Sequence, residues 1–382
     1  MVTLGFFIVL VVTVLVYWLL PRSPVRTGFL TLASLGWIAA NDPLSAAVVL
    51  ALAAYAYFMG NLIAARRTPL VHRLGVGGIL AVLAFFKFAG LLDAAVADIG
   101  RFAGALPEFH LSHLLLPLGI SYITFKYISY LTDIHWKLIA PGKFIDVLCY
   151  GSLFTIFAAG PIERYERFGP QLREAAPEFL VAYLDEGLYR IAFGLFKKLV
   201  IADWIGYFID PVWRSPASYD PAIRLLALAG YSIQIYTDFA GYSDIAIGSS
   251  RCFGLTIMEN FDWPYVQPNI SMFWRHWHIS LSDWLRDYVF FPLSRVSQRR
   301  VWLLGAVPLI AMGLCGLWHG TAWHFILWGL WHGAGIAALQ WWRAFLRAHP
   351  GVRVVPTGWW TRTASALLTF TFVTAGWLWF RG

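Results

Sequence analysis

The sequence predicts an all-α protein that crosses a membrane many times. Hydrophobic residues make up 59% of the 382 residues and charged residues only 13%, whereas about 25% of the residues in soluble domains are charged. Several apolar runs approach the roughly 20 residues that a helix needs to cross a bilayer. Helices are expected because a membrane segment must satisfy its own backbone hydrogen bonds. The predicted class is therefore a polytopic integral membrane protein.

The first apolar run, residues 3–20, predicts a retained helix whose N-terminus lies outside. No basic residue precedes this run, and Arg22 and Arg26 follow it, which reverses the charge order of a secretory signal peptide. Later, basic segments at Arg66 and Lys137 alternate with less basic ones, as the positive-inside rule expects. We interpret the net charge of +8 as a topology signal and expect no nucleic-acid partner.

Two later stretches carry charges that a plain lipid-facing helix does not tolerate. Residues 180–209 include Arg190 and Lys197 among several charged side chains, so we expect this stretch to be re-entrant, interfacial or partly buried in the protein. Asp238 and Asp244 lie in an otherwise apolar helix, where the favoured interpretation is helix capping or pairing with arginine. The three cysteines form no disulfide or metal pattern.

A helix with a sharply divided surface is predicted over residues 273–288. An ideal helix advances about 100° per residue, which gathers polar side chains on one arc and apolar ones on the other. Two interpretations stay open: an interfacial helix at the lipid headgroups, or a helix whose polar face lines a cavity. The polar arc holds Arg275, His276, His278, Ser280, Ser282, Asp283, Arg286 and Asp287. The opposite arc holds Trp274, Trp277, Leu281, Trp284, Leu285 and Tyr288.

The pentapeptide GLWHG occurs twice, at residues 316–320 and 329–333. Each copy has two glycines four residues apart, a spacing that lets membrane helices approach closely. His319 and His332 are 13 residues apart, roughly 220° on an ideal helix, so they share a face only if the helix breaks between them. An ionisable side chain in such apolar surroundings is a functional candidate. For His324 and His332 the favoured alternative is a bond to a backbone carbonyl.

The candidate chemistry depends on histidine. The sequence contains no HxxxH pair with a nearby carboxylate, no nucleophile elbow and no phosphate-binding loop. A neutral imidazole can take the proton from an attacking alcohol, which is typically worth about 10²–10⁴ in rate. An apolar tunnel can hold a thioester or acyl chain away from water. Acyl transfer to a hydroxyl therefore suits these residues, and no metal site is predicted.

Five long segments resemble, in the same order, the motifs of the membrane-bound O-acyltransferase family, in its alginate O-acetylase branch. The resemblance covers residues 114–333 strongly and the flanks only by hydropathy. It implies a ring of roughly ten or more membrane helices around a central cavity, with openings to both faces. The segments are LPLGISYITFKYISYLTD, GPIERYERFGPQL, YTDFAGYSDIAIGSSRCFG, NFDWPY followed by FWRHWHISLSDWLRDYVFFPL, and GLWHGTAWHFILWGLWHG.

The same resemblance implies site residues and a co-substrate. The family's catalytic histidine matches His319, and a second histidine in its RWHIS-type motif matches His278. His276 departs from the family pattern, because a second arginine is common at that place. No metal or bound cofactor is implied, and the co-substrate is an acyl donor, acetyl-CoA or another acyl thioester. Supporting positions, expected to shape the substrate tunnel, match Trp318, Gly320, Arg275, Trp277, Ser280, Trp284, Arg286 and Asp287.

The function implied is O-acetylation of an exported polysaccharide such as alginate. The acetyl group would pass from a cytoplasmic donor across the bacterial inner membrane to periplasmic proteins that accept or transfer acetyl groups. Three alternatives remain: a D-alanyl transferase of teichoic acid, a proton-coupled transporter with His319 and Asp238 as a relay, and an inactive scaffold of a polysaccharide secretion complex. A transporter would require inverted repeats with paired broken helices, which the sequence does not display.

The resemblance also predicts a single membrane domain over residues 1–382 that lacks the family's last helices. Members of this branch usually continue for another pair of membrane helices or more after a WLWFR-like segment. Here that segment occupies residues 377–381 and only Gly382 follows it. We therefore expect the catalytic motifs to be present and the complete ring to need further helices.

Overall fold

The described part of the chain consists of helices joined by turns and loops. Within these residues the one extended pairing is an isolated antiparallel bridge between Phe261 and Trp277. The predicted all-α class is confirmed. Arg22, which contributed to the orientation prediction, lies outside the described residues. The computed structural model describes residues 3–21, 24–103, 116–173, 179–297, 303–352 and 358–382.

Backbone contacts divide the chain into two compact units. The first comprises Met1–Tyr189 with Ala246–Ile257, and the second comprises Arg190–Ile245 with Met258–Gly382. All the site residues predicted from the sequence fall within the second unit. The helices of the first unit are α1 (Leu4–Leu19), α2 (Val25–Asn41), α3 (Pro43–Arg66), α4 (Pro69–Ala103), α5 (Ile120–His135), α6 (Phe144–Ser152) and α7 (Tyr165–Arg173).

Two buried polar side chains of the first unit, Lys126 and Tyr150, are held by backbone groups. Lys126 on α5 is only 1% exposed, and its Nζ donates to the carbonyl oxygen of Tyr150 at 3.2 Å. The Tyr150 hydroxyl donates in turn to the carbonyl oxygen of Glu163 at 2.7 Å. Because a buried polar group without a hydrogen bond is costly, these bonds fix α5, α6 and the segment before α7 against one another.

The second unit holds the helices that carry the predicted chemistry. Helices α8 (Val181–Leu195) and α10 (Pro221–Arg251) contribute residues to both units. A π-helical segment, Phe196–Ala202, joins α8 to α9, and a second one, Arg286–Phe290, joins α12 to α13. The remaining helices are α9 (Asp203–Arg214), α11 (Ile270–His276), α12 (Ile279–Leu285), α13 (Phe291–Ser297), α14 (Leu303–His319), α15 (Trp323–Ala348) and α16 (Trp359–Arg381).

Three of the described helices are long and apolar enough to cross a bilayer by themselves. They are Pro43–Arg66, Pro69–Phe88 and Trp359–Arg381. Two shorter apolar helices, Leu4–Leu19 and Gly305–His319, fall below that length. These helices agree with the predicted membrane protein. The expected ring of ten or more helices stays a prediction.

The charged stretch after residue 180 pairs its cations with carboxylates of α10. Arg190 donates from Nε to Asp244 at 2.5 Å, and Lys197 Nζ lies 2.7 Å from the same carboxylate. Lys198 lies 2.8 Å from Asp238. Pairing with arginine, the favoured interpretation, is confirmed for Asp244, while Asp238 pairs with lysine. Since each carboxylate has a cation beside it, charge is neutralised where α8 and the π-helical segment after it face α10.

The continuous helix predicted over residues 273–288 is wrong. The structure breaks it between His276 and Ile279, giving α11 and α12. The break forms because the segment before α11 pairs with the chain there: Asp262 N donates to the carbonyl oxygen of His276 at 3.0 Å, and Ile279 N donates to that of Asn260 at 2.8 Å. These bonds replace the helical i to i−4 bonds that periodicity alone predicts.

Candidate active site

The two GLWHG segments form the close-packed face of a hairpin. Helix α14 ends at His319, and α15 begins at Trp323 after a short turn. A Cβ atom added at Gly316 would collide with the carbonyl oxygen of Phe325, and one added at Gly329 would collide with that of Met312. Only glycine permits this approach of the two backbones. The prediction that the glycine spacing lets the two helices pack closely is confirmed. The turn between α14 and α15 also interrupts the helix between His319 and His332.

His319 occupies the last residue of α14, inside a half-buried aromatic cluster. Its ring centroid lies 4.7 Å from Trp318, 5.1 Å from Trp328 and 5.1 Å from Phe380. The last carbonyl groups of a helix carry partial negative charge, which stabilises a cation near them. An imidazole here can accept a proton with help from the helix terminus. The position suits a general base.

His278 approaches the same aromatic cluster from the break between α11 and α12. Its ring centroid lies 6.3 Å from that of Trp318 and 4.6 Å from that of Phe239. The residue is 2% exposed, and among the described residues its Nε2 has no hydrogen-bond partner. Burial, and then the nearby His319, lower the pKa of His278 well below its usual value. His278 is therefore neutral at pH 7.

Asn260 holds the backbone around His278, and sequence reasoning missed it. The backbone of His278 is left-handed, with φ +43°, a region that residues other than glycine rarely adopt. Asn260 Oδ1 accepts hydrogen bonds from the Ser280 hydroxyl at 2.7 Å and the Ser280 backbone N–H at 3.3 Å. Asn260 is 0% exposed and its Nδ2 donates to the Ser243 hydroxyl at 3.1 Å. The signal in the sequence was an asparagine at the start of the aromatic run NFDWPY.

The other residues predicted for the site divide into two groups. Trp277 is buried, and its ring centroid lies 5.1 Å from that of Phe261 and 5.2 Å from that of Trp377. Its ring therefore packs beside the break between α11 and α12. Trp284 is buried and contacts Tyr288 at 5.3 Å. Gly320 donates its N–H to the carbonyl oxygen of Gly316 at 3.2 Å, which closes the last turn of α14. We assign these three positions a structural role.

The charged members of the motif form ion pairs or line a cavity. Arg286 donates to Asp283 at 2.5 Å and to Asp287 at 2.9 Å. Arg275 is exposed, and together with Arg286 it lines a cavity of about 250 Å³. Neither His278 nor His319 lines this cavity. Its walls are Ser271, Trp274, Arg275, Ser282, Asp283, Leu285, Arg286, Phe290, Phe291, Pro308, Ala311, Met312, Ile336, Gln340 and Arg343.

The remaining two histidines of the second GLWHG region behave differently from one another. His324 Nδ1 lies 2.8 Å from the carbonyl oxygen of Trp379, so its predicted bond to backbone is confirmed. The same prediction is wrong for His332. It is 0% exposed, and neither ring nitrogen has a hydrogen-bond partner among the described residues. Its surroundings are rings instead, with Trp328 at 5.1 Å and Trp274 at 5.2 Å.

Comparison with known proteins gives the chain its family. Residues 137–373 match the model of MBOAT, the membrane-bound O-acyltransferase family. The chain is 35% identical to the "Probable alginate O-acetylase AlgI" of Pseudomonas putida over 312 residues, which cover 81% of this chain and 61% of that protein. It is 30% identical to the "Peptidoglycan O-acetyltransferase" of Helicobacter pylori over 334 residues, covering 81% of this chain and 61% of that one.

The name of a third relative gives a different activity. The chain is 31% identical to the "Teichoic acid D-alanyltransferase" of Bacillus subtilis over 307 residues, covering 77% of this chain and 76% of that protein. By contrast, it spans only about three-fifths of the length of the P. putida relative, at 61%. The match to the family model covers more than half of the sequence and includes His278 and His319. The chain therefore belongs to the membrane-bound O-acyltransferase family.

Proposed function

We propose that this chain is an O-acetyltransferase that moves an acetyl group across the membrane for addition to an exported polysaccharide. The observation that carries the proposal is the meeting of His319 and His278 at Trp318, with centroid distances of 4.7 and 6.3 Å from that ring. Two titratable groups in a shared aromatic wall, one at a helix terminus and one held neutral, match the needs of base-catalysed acyl transfer. The names of the relatives support acetyl as the group and polysaccharide as the acceptor.

In the proposed reaction His319 takes the proton of the acceptor hydroxyl. The hydroxyl oxygen then attacks the carbonyl carbon of the thioester, the carbon–sulfur bond breaks, and the thiolate leaves with the proton from His319. His278 hydrogen-bonds through Nε2 to the reacting groups, for which its free nitrogen among the described residues provides the means. The surrounding tryptophans exclude water and so protect the thioester from hydrolysis.

The donor is proposed to be acetyl-CoA or another acyl thioester, and the 250 Å³ cavity is its proposed entry. Arg275 and Arg343 line the cavity with cationic groups suited to phosphate, and Phe290 and Met312 provide apolar wall. Pro308, another lining residue, lies 11 positions before His319 on α14, which corresponds to roughly 16 Å of helix. A donor bound at the arginines must therefore extend a long arm to reach the base.

The proposed location is the bacterial inner membrane, with the N-terminus outside and periplasmic proteins as partners. This orientation is supported by the basic residues Arg66 and Arg67 at the end of α3 and Lys137 after α5, because basic segments favour the cytoplasmic side. An acetyl group delivered outside needs an acceptor there, either the polysaccharide itself or a protein that passes the group on.

D-alanyl transfer to teichoic acid is the second candidate. It is favoured by one finding, the larger share of the B. subtilis relative that this chain covers, 76% against 61% for the P. putida relative. Both reactions use the same base and an acyl thioester, so the acyl group attached to the exported polymer distinguishes them. Detection of D-alanine ester instead of acetate in the polymer would favour this second candidate.

The proposal is tested by replacing His319 with alanine. A strain that lacks the chromosomal copy is complemented with either form, and the acetyl content of the exported polymer is measured. We expect His319→Ala to abolish acetylation while the protein accumulates in the membrane as before. His349→Ala is the matched control, because His349 is exposed just after α15 and, among the described residues, its side chain bonds only the carbonyl oxygen of Phe345. Normal acetylation with His319→Ala would overturn the proposal.

A further inference from the structure

We propose that Asn260 and Arg190 are positioning residues for His278, linked through the carboxylate of Glu259. The inference rests on the proposed function, since it assigns to these residues the task of holding a reactive imidazole in place. His278 sits in a left-handed turn that its own sequence does not favour, with φ +43° and ψ +55°. Such a conformation persists only where the surrounding structure fixes it.

Asn260 supplies the inner part of this support. Three of its bonds reach the two residues that follow His278: its carbonyl oxygen accepts from Ile279 N, and its Oδ1 accepts from both polar groups of Ser280. Its remaining amide group donates to Ser243 on α10 at 3.1 Å. All of Asn260, Ser243 and Ser280 are at most 2% exposed. Water therefore cannot replace these bonds if the asparagine is displaced.

Arg190 supplies the outer part by fixing the residue next to Asn260. Its two terminal nitrogens both bind the Glu259 carboxylate, Nη1 at 2.9 Å to Oε1 and Nη2 to Oε2. Its Nε binds Asp244 at 2.5 Å. A guanidinium presents its donors in a rigid planar fork, so one side chain can hold two carboxylates in a set geometry.

The two supports act on neighbouring pairs of residues. Glu259 and Asn260 are adjacent in the sequence, as are Ser243 and Asp244 on α10. Asn260 bonds Ser243 directly, and Glu259 reaches Asp244 through Arg190. The dipeptide Glu259–Asn260, which supports the turn at His278, is thus attached to α10 at two points. The same helix presents Phe239 to the His278 ring at 4.6 Å, so backbone and ring of His278 are located by one element.

Charge balance explains why this link can be partly buried. Asp244 also receives Lys197 at 2.7 Å, which gives two cations, Arg190 and Lys197, for two carboxylates. Removing Arg190 leaves Asp244 paired through Lys197 and releases only Glu259, which is 49% exposed and can be hydrated. Replacement of Arg190 should therefore loosen the turn without leaving a buried charge unpaired.

The test measures the chemical reactivity of individual histidines. The purified full chain in detergent is treated with diethyl pyrocarbonate, which acylates neutral imidazole, and the modification rate of each histidine is followed by peptide mass spectrometry. Arg190→Gln, Glu259→Gln and Asn260→Ala are compared with the unchanged protein. Lys198→Gln is the matched control, because Lys198 follows the same helix and pairs with Asp203 and Asp238 but has no link to Asn260.

We expect His278 to be modified roughly tenfold faster in the three variants and unchanged in the control. His332, which is 0% exposed and caged by rings, serves as the internal reference and should stay slow in all proteins. The apparent kcat for acetyl transfer should fall about 10²-fold at most, with the KM for donor unchanged, since misplacing a reactive group by about 1 Å has an effect of that size. Arg190→Lys, which keeps the charge and loses the fork, should give an intermediate rate.

Two outcomes would overturn the inference. One is an unchanged rate at His278 in Arg190→Gln and Asn260→Ala. The other is an equal increase at His278 and His332 in the mild variant Glu259→Gln, which would mean general loosening of the unit. The modification readout needs no acceptor polymer. If the protein transferred no acetyl group at all, the proposed function would be contradicted, but the modification rates would still test the positioning of His278.

Discussion

Replacing Gly329 with alanine should separate α14 from α15 and misplace His319. The added Cβ would collide with the carbonyl oxygen of Met312 and lie 3.2 Å from the backbone nitrogen of Gly316. Both neighbours are backbone atoms of α14, so no side chain can rotate away. The helices must move apart by roughly 1 Å or more to restore ordinary contact, which is the range in which overpacking costs about 1–3 kcal/mol.

Gly329→Ala also has a stabilising effect that opposes this loss. Alanine is favoured over glycine inside a helix by about 1 kcal/mol, so the net loss in the free energy of unfolding is expected at about 0–2 kcal/mol. Activity should respond more strongly than stability, because a displacement of about 1 Å at a reacting group can reduce the rate about 10²-fold. The expected phenotype is a protein that accumulates, melts a few degrees lower and acetylates poorly.

Gly313→Ala is the matched control on the facing helix. A Cβ at Gly313 meets only the Cδ2 atom of Leu330, at an ordinary 3.6 Å. This variant should gain helix stability and keep full acetylation. Thermal unfolding in detergent and polymer acetyl content are measured for both variants. Equal effects of the two substitutions, or full acetylation with Gly329→Ala, would refute the view that close backbone packing sets the position of His319.

Three further predictions follow from the second unit. Trp328→Ala should lower the free energy of unfolding by about 3–5 kcal/mol and abolish acetylation, because Trp328 is 1% exposed and contacts both His319 and His332. Its control, Trp323→Ala, changes a residue that is 77% exposed and should alter neither thermal stability nor acetylation. Asp238→Asn should change acetylation by no more than about twofold, since the pair of Asp238 with Lys198 is half exposed and such pairs contribute about 0–1 kcal/mol to stability. A complete loss of acetylation would favour the hypothesis of a proton relay between Asp238 and His319. His278→Phe should reduce the loss of stability on acidification. Burial lowers the pKa of His278 in the folded state, so protonation of this histidine favours unfolding as the pH drops below about 6.5. The same dependence of unfolding free energy on pH in the variant and the unchanged protein would contradict the lowered pKa of His278.

Local sequence patterns predicted the class of the fold and the close packing of α14 against α15. Continuous apolar runs imply helices whatever their neighbours, because lipid leaves the backbone no other partner. The glycine spacing at 316–320 and 329–333 was sufficient to predict close helix packing, since it depends on local residues alone. Asp244 was also interpretable, because an isolated carboxylate in an apolar helix requires a cation, and Arg190 supplies it at 2.5 Å.

The turn at His278 could not be predicted from periodicity. The polar and apolar arcs over residues 273–288 suit a straight helix, and the bonds that interrupt it come from Asn260, outside that window. His332 was misjudged for a similar reason. A buried imidazole is expected to find a carbonyl, but here rings from α11, from α16 and from its own helix α15 fill its surroundings. Contacts between distant segments decide both cases, and a local pattern does not contain them.

Chemical rescue at His319 tests the central claim most directly. His319→Gly removes the imidazole from the end of α14, and free imidazole is then supplied to membranes that contain the variant together with donor and acceptor. If His319 transfers a proton, acetyl transfer should be near zero without imidazole and should rise with its concentration. The same additive should not improve His349→Ala or the unchanged protein. Full activity of His319→Gly without imidazole would contradict the account.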